Sequence, residues 1–319
     1  MLNRQARRFR QQVNLFVLLV LLPFASQEQT KGGPQDNAAS LEEARREFIA
    51  HELNRADTTL RAYLTANPSS ADGMYLLGRV LQAKNQPKES LQWFTKAAAI
   101  SRPSSEDLRI VALDYVLLND YADSIRWLNR SLEMNPRNSE AWYDLARTKM
   151  MQGDYSGAEA PMKKALILHP KMVKAENNLG LIYEAQNRPA EAADAYRLAV
   201  EWQKTDANPS EQPLLNYGTL LIDEQRNTEA ISLLEQAVTI APNNVKCYEQ
   251  LARALDRHGE GQKAVEQMQA AVRLDPHNPR LHYQLGLIYR RVGEPEKSKE
   301  EMLLSEKLYG PHSSEPTPQ

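Results

Sequence analysis

The sequence predicts an all-α fold built from consecutive antiparallel helix pairs. Three observations predict it: a 34-residue period runs through most of the 319 residues, each period divides into two amphipathic helical stretches, and Asn, Gly or Pro separates the stretches. A single helix pair cannot bury its own apolar face, so neighbouring pairs stack into a solenoid with a continuous core. The repeats occupy nearly the whole chain and leave no room for a separate catalytic domain.

The period is clearest at a small residue in the first helix of each pair. It recurs every 34 residues, with one 38-residue step before Gly218, at Ala44, Gly78, Ala112, Ala146, Gly180, Gly218, Ala252 and Gly286. Twelve residues after each of these stands a second small residue: Ala56, Ser90, Ser124, Ala158, Ala192, Ala230, Ala264 and Ser298. Sixteen residues after each stands a large apolar residue: Leu60, Phe94, Leu128, Met162, Tyr196, Leu234, Met268 and Met302. The small residues predict that paired helix backbones approach closely.

Residues that end and begin helices stand between the two stretches of a period. Residues that tolerate the left-handed conformation end the first stretch at Asn85, Asn119, Gly153, Asn187, Gly259 and Gly293. Proline, which suits the first helical position, begins the second stretch at Pro87, Pro189 and Pro295. Each period therefore reads as two helices of about a dozen residues.

Twenty-four residues after five of the first small residues stands a proline, and a sixth proline comes one residue late: Pro68, Pro136, Pro170, Pro242 and Pro276, with Pro103 late. The spacing of small residues, large residues and these prolines resembles the tetratricopeptide repeat family over roughly residues 37–310. The resemblance implies a right-handed superhelical solenoid of seven good repeats and a degenerate first one. The predicted repeats lie near 37–70, 71–104, 105–138, 139–172, 173–210, 211–244, 245–278 and 279–310.

Two irregularities interrupt the repeats. Pro161 lies inside a predicted second helix and is expected to kink it. Four extra residues fall within residues 201–213, where they lengthen either the helix or the loop after it. The insertion is interpreted as a tolerated surface feature, with a local binding role as the alternative.

The N-terminus has the pattern of a secretory signal peptide. Four Arg precede an apolar run over residues 15–25, and polar residues follow it. Eleven apolar residues are fewer than the roughly 20 that span a bilayer. We expect a signal peptide over residues 1–26, a flexible linker over 27–38, a repeat domain over 39–310 and a disordered tail over 311–319. The expected compartment is extracytoplasmic, periplasmic or secreted; a membrane anchor formed by an uncleaved signal is the alternative, and a twin-arginine signal fits less well.

Composition and motifs argue against several functions. Without residues 1–25 the chain holds 35 Lys+Arg against 41 Asp+Glu, a net charge of −6, which disfavours nucleic acid as the partner. The single cysteine, Cys247, forbids an internal disulfide and is interpreted as a core residue, with an intermolecular disulfide as the alternative. Nucleotide-binding and zinc-protease motifs are absent from the sequence, and His277 and His282 lack a third metal ligand. We predict no enzyme activity, cofactor or metal.

The resemblance places the binding residues of such repeats on the first helices, which line a concave face. The sixth repeat position supplies a row of polar side chains able to bond a peptide backbone: Asp144, Asn178, Asn216, Gln250 and Gln284. The row is similar to the asparagine ladder of O-linked N-acetylglucosamine transferases. Positions 5 and 9 add Tyr and Arg, which are enriched at interface hot spots: Tyr75, Arg79, Tyr143, Arg147, Arg253 and Tyr283. The alternatives are that the row has no ligand and that the Arg side chains only cover neighbouring residues.

The sequence thus predicts a non-enzymatic, exported scaffold that holds an extended segment of a partner protein in its concave groove. The alternative is a structural component of an envelope or secretion complex, assembled through its convex face or its ends. After signal cleavage no membrane span is expected. The identity of the partner and the oligomeric state stay open, because fold alone does not give function.

Overall fold

The computed structural model of this chain describes residues 35–310, and side chains from residue 40. The predicted signal peptide and tail lie outside these residues. Within them the chain is all helical, with 16 helices and no strand. It divides into two compact units, residues 35–169 and residues 170–310.

The first unit holds eight helices. They are α1 (Gln35–Ile49), α2 (Leu53–Ala66), α3 (Ala71–Ala83), α4 (Pro87–Ala98), α5 (Ser105–Leu117), α6 (Tyr121–Met134), α7 (Ser139–Met151) and α8 (Tyr155–Leu168). Helix α1 begins inside the segment that was expected to be a linker. Each odd-numbered helix packs on the even-numbered helix that follows it, and α3, α5 and α7 also contact one another in sequence order.

The second unit repeats this arrangement. Its helices are α9 (Val173–Ala185), α10 (Pro189–Gln203), α11 (Gln212–Asp223), α12 (Asn227–Ile240), α13 (Val245–His258), α14 (Gly261–Leu274), α15 (Pro279–Arg291) and α16 (Pro295–Tyr309). Successive helices again pack as pairs, and α11 contacts both α9 and α13.

The helix ends confirm the sequence reading of the turns. All six Asn and Gly residues predicted to end first helices have positive φ, from 58° at Asn119 and Asn187 to 90° at Gly259. The three predicted prolines occupy the first position of α4, α10 and α16. Gln225 takes the same conformation at φ 63° after α11, although its residue type gave no signal for it.

Close helix packing accounts for the small residues. A Cβ added to Gly180 would lie 2.4 Å from a ring carbon of Tyr196, and one added to Gly78 would lie 2.8 Å from the ring of Phe94. Both aromatic side chains are fully buried. Small and large residues from the two helices of a repeat thus fill one space in the core.

The two irregularities have different outcomes. Helix α8 continues through Pro161 as a single element, so the proline does not end it. Most of the insertion lengthens a loop, since α10 ends at Gln203 and α11 begins only at Gln212. The buried Gln203 side chain accepts a hydrogen bond from the backbone of Ser210 through Oε1 at 3.3 Å, and this contact folds the loop back onto the end of α10.

Candidate interaction surface

The predicted binding residues all lie on first helices, and the structure gives them different environments. Repeat positions are counted here from residues 71, 105, 139, 173, 211, 245 and 279. In the first unit, Tyr75 on α3 is buried, and its hydroxyl donates to the carbonyl of Ser101 at 2.5 Å. Its ring therefore belongs to the core and not to an accessible surface. On α7 the equivalent Tyr143 is half-buried and Arg147 is exposed.

Arg79 and Asp144, in the same unit, hold neighbouring repeats together. Arg79 donates from Nε and Nη2 to Asp107 of α5, at 3.0 and 2.7 Å. Asp144 is 6% exposed, and its carboxylate accepts from Nη1 of Arg109 at 2.5 Å. Arg109 thus links α5 to α7, a role that was not assigned to it from the sequence.

In the second unit the predicted residues come from α9, α11, α13 and α15. Asn178 and Asn216 are half-buried, Gln250 is buried, and Tyr283 is 50% exposed. Asn216 donates from Nδ2 to Oδ1 of Asn177 at 3.0 Å. Gln284 donates from Nε2 to Oε1 of Glu249 at 3.1 Å. These two contacts join the same two repeat positions as the pair formed by Arg109 and Asp144.

One rule relates these three contacts: position 5 of a repeat bonds position 6 of the next repeat within the same unit. The pairs are Arg109 with Asp144, Asn177 with Asn216, and Glu249 with Gln284. Gln250 departs from the rule because the preceding position 5 is Leu215, and its Oε1 accepts instead from Arg253 of its own helix at 3.3 Å. Much of the row that was predicted to bind a peptide therefore joins repeat to repeat.

The sequence does carry a signal for this role. The residue types at the two positions are complementary: a guanidinium faces a carboxylate, an amide faces an amide, and a carboxylate faces an amide. The signal appears only when positions 34 or more residues apart are compared in pairs. Inspection of position 6 alone cannot find it.

A cleft of about 460 Å³ lies between α13 and α15. Its apolar lining comes from Met268, Leu287 and Ile288. Three arginines, Arg253, Arg257 and Arg291, supply its donors. The cleft thus combines an apolar surface with several guanidinium groups, as small recognition sites commonly do.

Neighbouring groups orient the arginines of the cleft. Arg253 donates to Asp223 at 2.5 Å, Arg257 donates to the carbonyl of Ile222 at 2.8 Å, and Arg291 donates from Nε to Asp256 at 2.8 Å. Each guanidinium has five N–H groups, so donors are left over for a ligand. Side chains held in this way lose less conformational entropy when they bind.

Gln284 contributes an unused acceptor to the cleft. Its Oε1 is buried, and no donor within residues 40–310 reaches it. Leaving a buried acceptor without a donor costs about 1–3 kcal/mol. If the Gln284 side chain turns toward the cleft, an N–H group of a bound chain can satisfy this oxygen while carbonyl or carboxylate groups of the same chain accept from the arginines.

The first turns of the first helices differ in charge between the two units. In the first unit α3, α5 and α7 carry acidic residues there, which suits the positive end of a helix dipole. In the second unit α11, α13 and α15 carry no acid in the first turn. Lys246 and Arg280 stand at the second position of α13 and α15. Arg280 forms an ion pair with Glu249, so Lys246 is the one of these two cations without a salt bridge among the described residues.

His282 has both ring nitrogens occupied. Nδ1 lies 2.6 Å from Oε2 of Glu301 on α16, and Nε2 lies 3.0 Å from the carbonyl of Pro276. A metal shared with His277 would have to displace one of these contacts. The described residues contain no cluster of three or more His, Cys, Asp or Glu side chains that could hold a metal ion. Cys247 is buried as expected, and burial raises the pKa of its thiol to about 11.

We expect the contacts of His282 to make the last repeat more stable in acid than in alkali. Burial lowers the pKa of His282, but the hydrogen bonds to Glu301 and to the Pro276 carbonyl outweigh it, and the net pKa is raised above 6.5. A raised histidine pKa adds stability that is full below the unfolded value and is lost as pH rises through the folded value. Protection of α15 and α16 from hydrogen exchange should therefore be greater at pH 6 than at pH 9.

The matched variants for this prediction are His282→Gln and His277→Gln, because His277 is exposed. The first should remove the pH dependence at α15 and α16, and the second should keep it. An unchanged pH profile in His282→Gln would show that another group is responsible.

None of the described helices is both long and apolar enough to cross a bilayer. Models of the tetratricopeptide repeat match residues 35–105, 112–172, 143–211, 221–283 and 279–310. No curated protein matches the chain.

Solved structures share the fold at low sequence identity. A tetratricopeptide repeat protein from Parabacteroides merdae is 17% identical with a TM-score of 0.59, over 86% of this chain and all of its own. PilW, a type IV pilus biogenesis factor, is 21% identical with a TM-score of 0.58, over 66% of this chain and 95% of its own. YrrB, described as having an unusual peptide-binding site, is 21% identical with a TM-score of 0.50, over 58% of this chain and 93% of its own. With the repeat models covering most of its length, the chain belongs to the tetratricopeptide repeat family.

Proposed function

We propose that this chain is a non-enzymatic protein-interaction scaffold that binds an extended segment of a partner protein along the first helices of its second unit. The observation that carries the proposal is the cleft between α13 and α15, which three oriented arginines and the side chain of Gln284 line together. An extended peptide backbone supplies the matching acceptors and donors whatever its sequence. A tetratricopeptide array is typically such a scaffold, and the peptide-binding site named for YrrB is consistent with this use of the fold.

The cleft, and not the whole polar row, is the centre of the proposed site. Asn216 bonds Asn177 and is already engaged in holding repeats together. Gln284 also bonds Glu249, but its buried oxygen has no donor within residues 40–310. Leu287, half-buried at position 9 of the same helix, offers an apolar contact beside it.

Reversing one charge in the cleft tests the proposal. Arg257→Glu places a carboxylate where the bound chain would accept hydrogen bonds, and we expect it to lower the affinity for the partner at least 10-fold, about 1.4 kcal/mol. The wild type and the variant would be used to capture partners from an envelope fraction, and affinities for the recovered protein would then be measured by calorimetry.

Arg197→Glu is the matched control, because Arg197 is an exposed arginine on α10 of the same unit, paired with Asp194. It should bind like the wild type. Circular dichroism should give the same helix content for all three proteins. Equal affinity of Arg257→Glu and the wild type would reject the cleft as the binding site.

We further propose that the scaffold acts outside the cytoplasm, periplasmic or secreted. The support is the sequence of residues 1–26, in which arginines precede a short apolar run. Sequencing the N-terminus of the protein isolated from its cell tests this. A start near residue 27 is expected, and a start at Met1 would leave the uncleaved anchor as the explanation.

A second candidate function, assembly of an envelope or secretion complex through the outer face or an end, is favoured by one observation. The outer face of α16 exposes Leu303 and Leu304. Chemical crosslinks between the captured partner and α16, with none to α13 or α15, would favour this function over groove binding.

A further inference from the structure

Helix α16, the last described helix, departs from the other second helices at two neighbouring repeat positions. The first departure is at repeat position 28, which is apolar in the six preceding repeats, at Ala98, Leu132, Leu166, Val200, Val238 and Val272. In the last repeat this position is Glu306, which is exposed. Within the described residues no other repeat packs on this side of α16, and a polar residue suits a repeat surface that is left open.

The second departure is a change from a polar to an apolar residue, at repeat position 25. Position 25 is polar in the six preceding repeats, at Thr95, Asn129, Lys163, Arg197, Glu235 and Gln269. In the last repeat it is Leu303, which is 55% exposed, and the neighbouring Leu304 is 39% exposed. Capping does not explain this change, because it adds an apolar surface where every other repeat presents a polar one. Such a surface signals an interaction site.

The two leucines lie between opposite charges on one helix face. Glu300, Leu303, Leu304 and Lys307 are spaced by three and four residues, so their side chains share one face of α16. Glu300 and Lys307 are both exposed. Neither has an ion partner among residues 40–310 of the structure. Along the helix this face therefore presents an acidic side chain, two apolar side chains and a basic side chain, in that order.

This order is complementary to itself when reversed. If a second α16 lies antiparallel with its Leu304 opposite Leu303, then Glu300 of each helix faces Lys307 of the other. We propose that a second copy of this chain docks on the outer face of α16 in this two-fold arrangement. The contact buries four leucines and forms two equivalent ion pairs.

The segment that follows α16 does not fit the face as well. Residues 311–319, which follow α16 directly, contain no large apolar side chain to cover the leucines. A parallel second helix would place Glu300 beside Glu300 and Lys307 beside Lys307. The antiparallel copy satisfies both the apolar pair and the charges.

The size of the face sets the strength of the interaction. A 15-residue helix is about 22 Å long. One such contact buries less than the roughly 1,200 Å² that a stable interface requires. The dimer is therefore weak, with a dissociation constant on the order of 10–100 µM, and it forms where the protein is locally concentrated.

Sedimentation equilibrium of the full chain at low salt tests the proposal through a charge swap. Glu300→Lys alone and Lys307→Glu alone each place like charges at both ends of the contact and should weaken dimerisation at least 10-fold. The double variant restores opposite charges and should return to within about threefold of the wild type. Leu303→Gln with Leu304→Gln should abolish the dimer, and both leucines are exposed enough to be replaced without unfolding.

Glu266→Lys is the matched control, because exposed Glu266 occupies in the preceding repeat the position that Glu300 occupies in the last. It should dimerise like the wild type. A wild-type protein that stays monomeric at 200 µM, or a double swap that fails to recover, would overturn the proposal. If the protein self-associates but none of these variants changes the association, the contact lies elsewhere on the protein. That result would also reject the proposal.

Discussion

Asp114→Asn should raise the free energy of unfolding of the first unit by about 4 kcal/mol at pH 7, because it removes the cost of a buried carboxyl group. Asp114 on α5 is fully buried. Burial raises the pKa of its carboxyl to about 8, although a hydrogen bond with Ser90 acts in the opposite direction. Near neutral pH the group is largely protonated in the folded chain and ionised in the unfolded one.

The hydrogen bonds around Ser90 agree with a neutral carboxyl. Its hydroxyl oxygen lies 2.8 Å from the carbonyl of Gly78 and 2.6 Å from Oδ2 of Asp114. The hydroxyl has only one hydrogen, and the carbonyl can only accept. Both contacts are satisfied when the hydroxyl donates to Gly78 and the protonated Asp114 donates to the hydroxyl. An asparagine amide can donate in the same place.

The pH dependence distinguishes this explanation from a simple packing effect. With a folded pKa near 8 and an unfolded value near 3.8, folding takes up a proton between these limits. The contribution of Asp114 to the stability of the wild type is then greatest below about pH 4 and declines by about 1.4 kcal/mol per pH unit until pH 8. The advantage of Asp114→Asn should therefore be small at pH 4 and largest above pH 8.

Hydrogen-exchange protection of α4 and α5 across this pH range is the measurement, since it reports on the unit that contains the residue. Asp194→Asn, at an exposed carboxylate in the second unit, should change nothing at α4 and α5. A constant difference between the variant and the wild type from pH 4 to pH 9 would contradict a neutral buried carboxyl.

Arg109→Met should destabilise the first unit by about 2 kcal/mol by separating Asp144 from its guanidinium partner. Asp144 is 6% exposed, and the Arg109 side chain is 16% exposed. Breaking a fully buried ion pair costs about 3–5 kcal/mol, and partial exposure of the arginine reduces this. The double variant Arg109→Met, Asp144→Leu should recover most of the loss, because two apolar side chains can replace a buried pair.

Chemical denaturation of the two single variants and the double variant gives the coupling energy of the pair. Arg126→Met is the control, since Arg126 forms an exposed pair with Asp123 within one turn of α6. Such pairs contribute less than about 1 kcal/mol. Additive effects of the two single changes at Arg109 and Asp144 would mean that the contact does not hold α5 to α7.

The fold was predictable from the sequence because many residues repeat the same information. Small residues such as Gly180, large ones such as Tyr196, and turn residues such as Asn187 keep one register along the chain, so a single misread repeat changes nothing. Gln225 adopts the same left-handed turn without the usual residue type, because the surrounding helices impose it. The family assignment followed from the same spacing and is confirmed by the repeat models.

The candidate site was predictable only in part. Tyr75, Tyr143 and Tyr283 share one repeat position, yet they are buried, half-buried and 50% exposed. The exposure of each Tyr side chain depends on the side chains that the neighbouring repeat packs against it. The position of the Tyr within its own repeat does not determine which side chains those are. The cleft between α13 and α15 could not be predicted for the same reason, since its volume depends on how two repeats pack.

The bonds between position 5 of one repeat and position 6 of the next make the order of repeats specific. Each of these three contacts between neighbouring repeats uses its own chemistry. The contact between α5 and α7 is an ion pair, and the two contacts in the second unit join an amide to an amide and an amide to a carboxylate. Deleting residues 105–138 would bring Tyr75, which has no guanidinium, opposite Asp144. Repeats of equal length and equal fold are thus not interchangeable. Loss or duplication of a repeat would bring together residues at positions 5 and 6 that are not complementary, and the fold would be less stable.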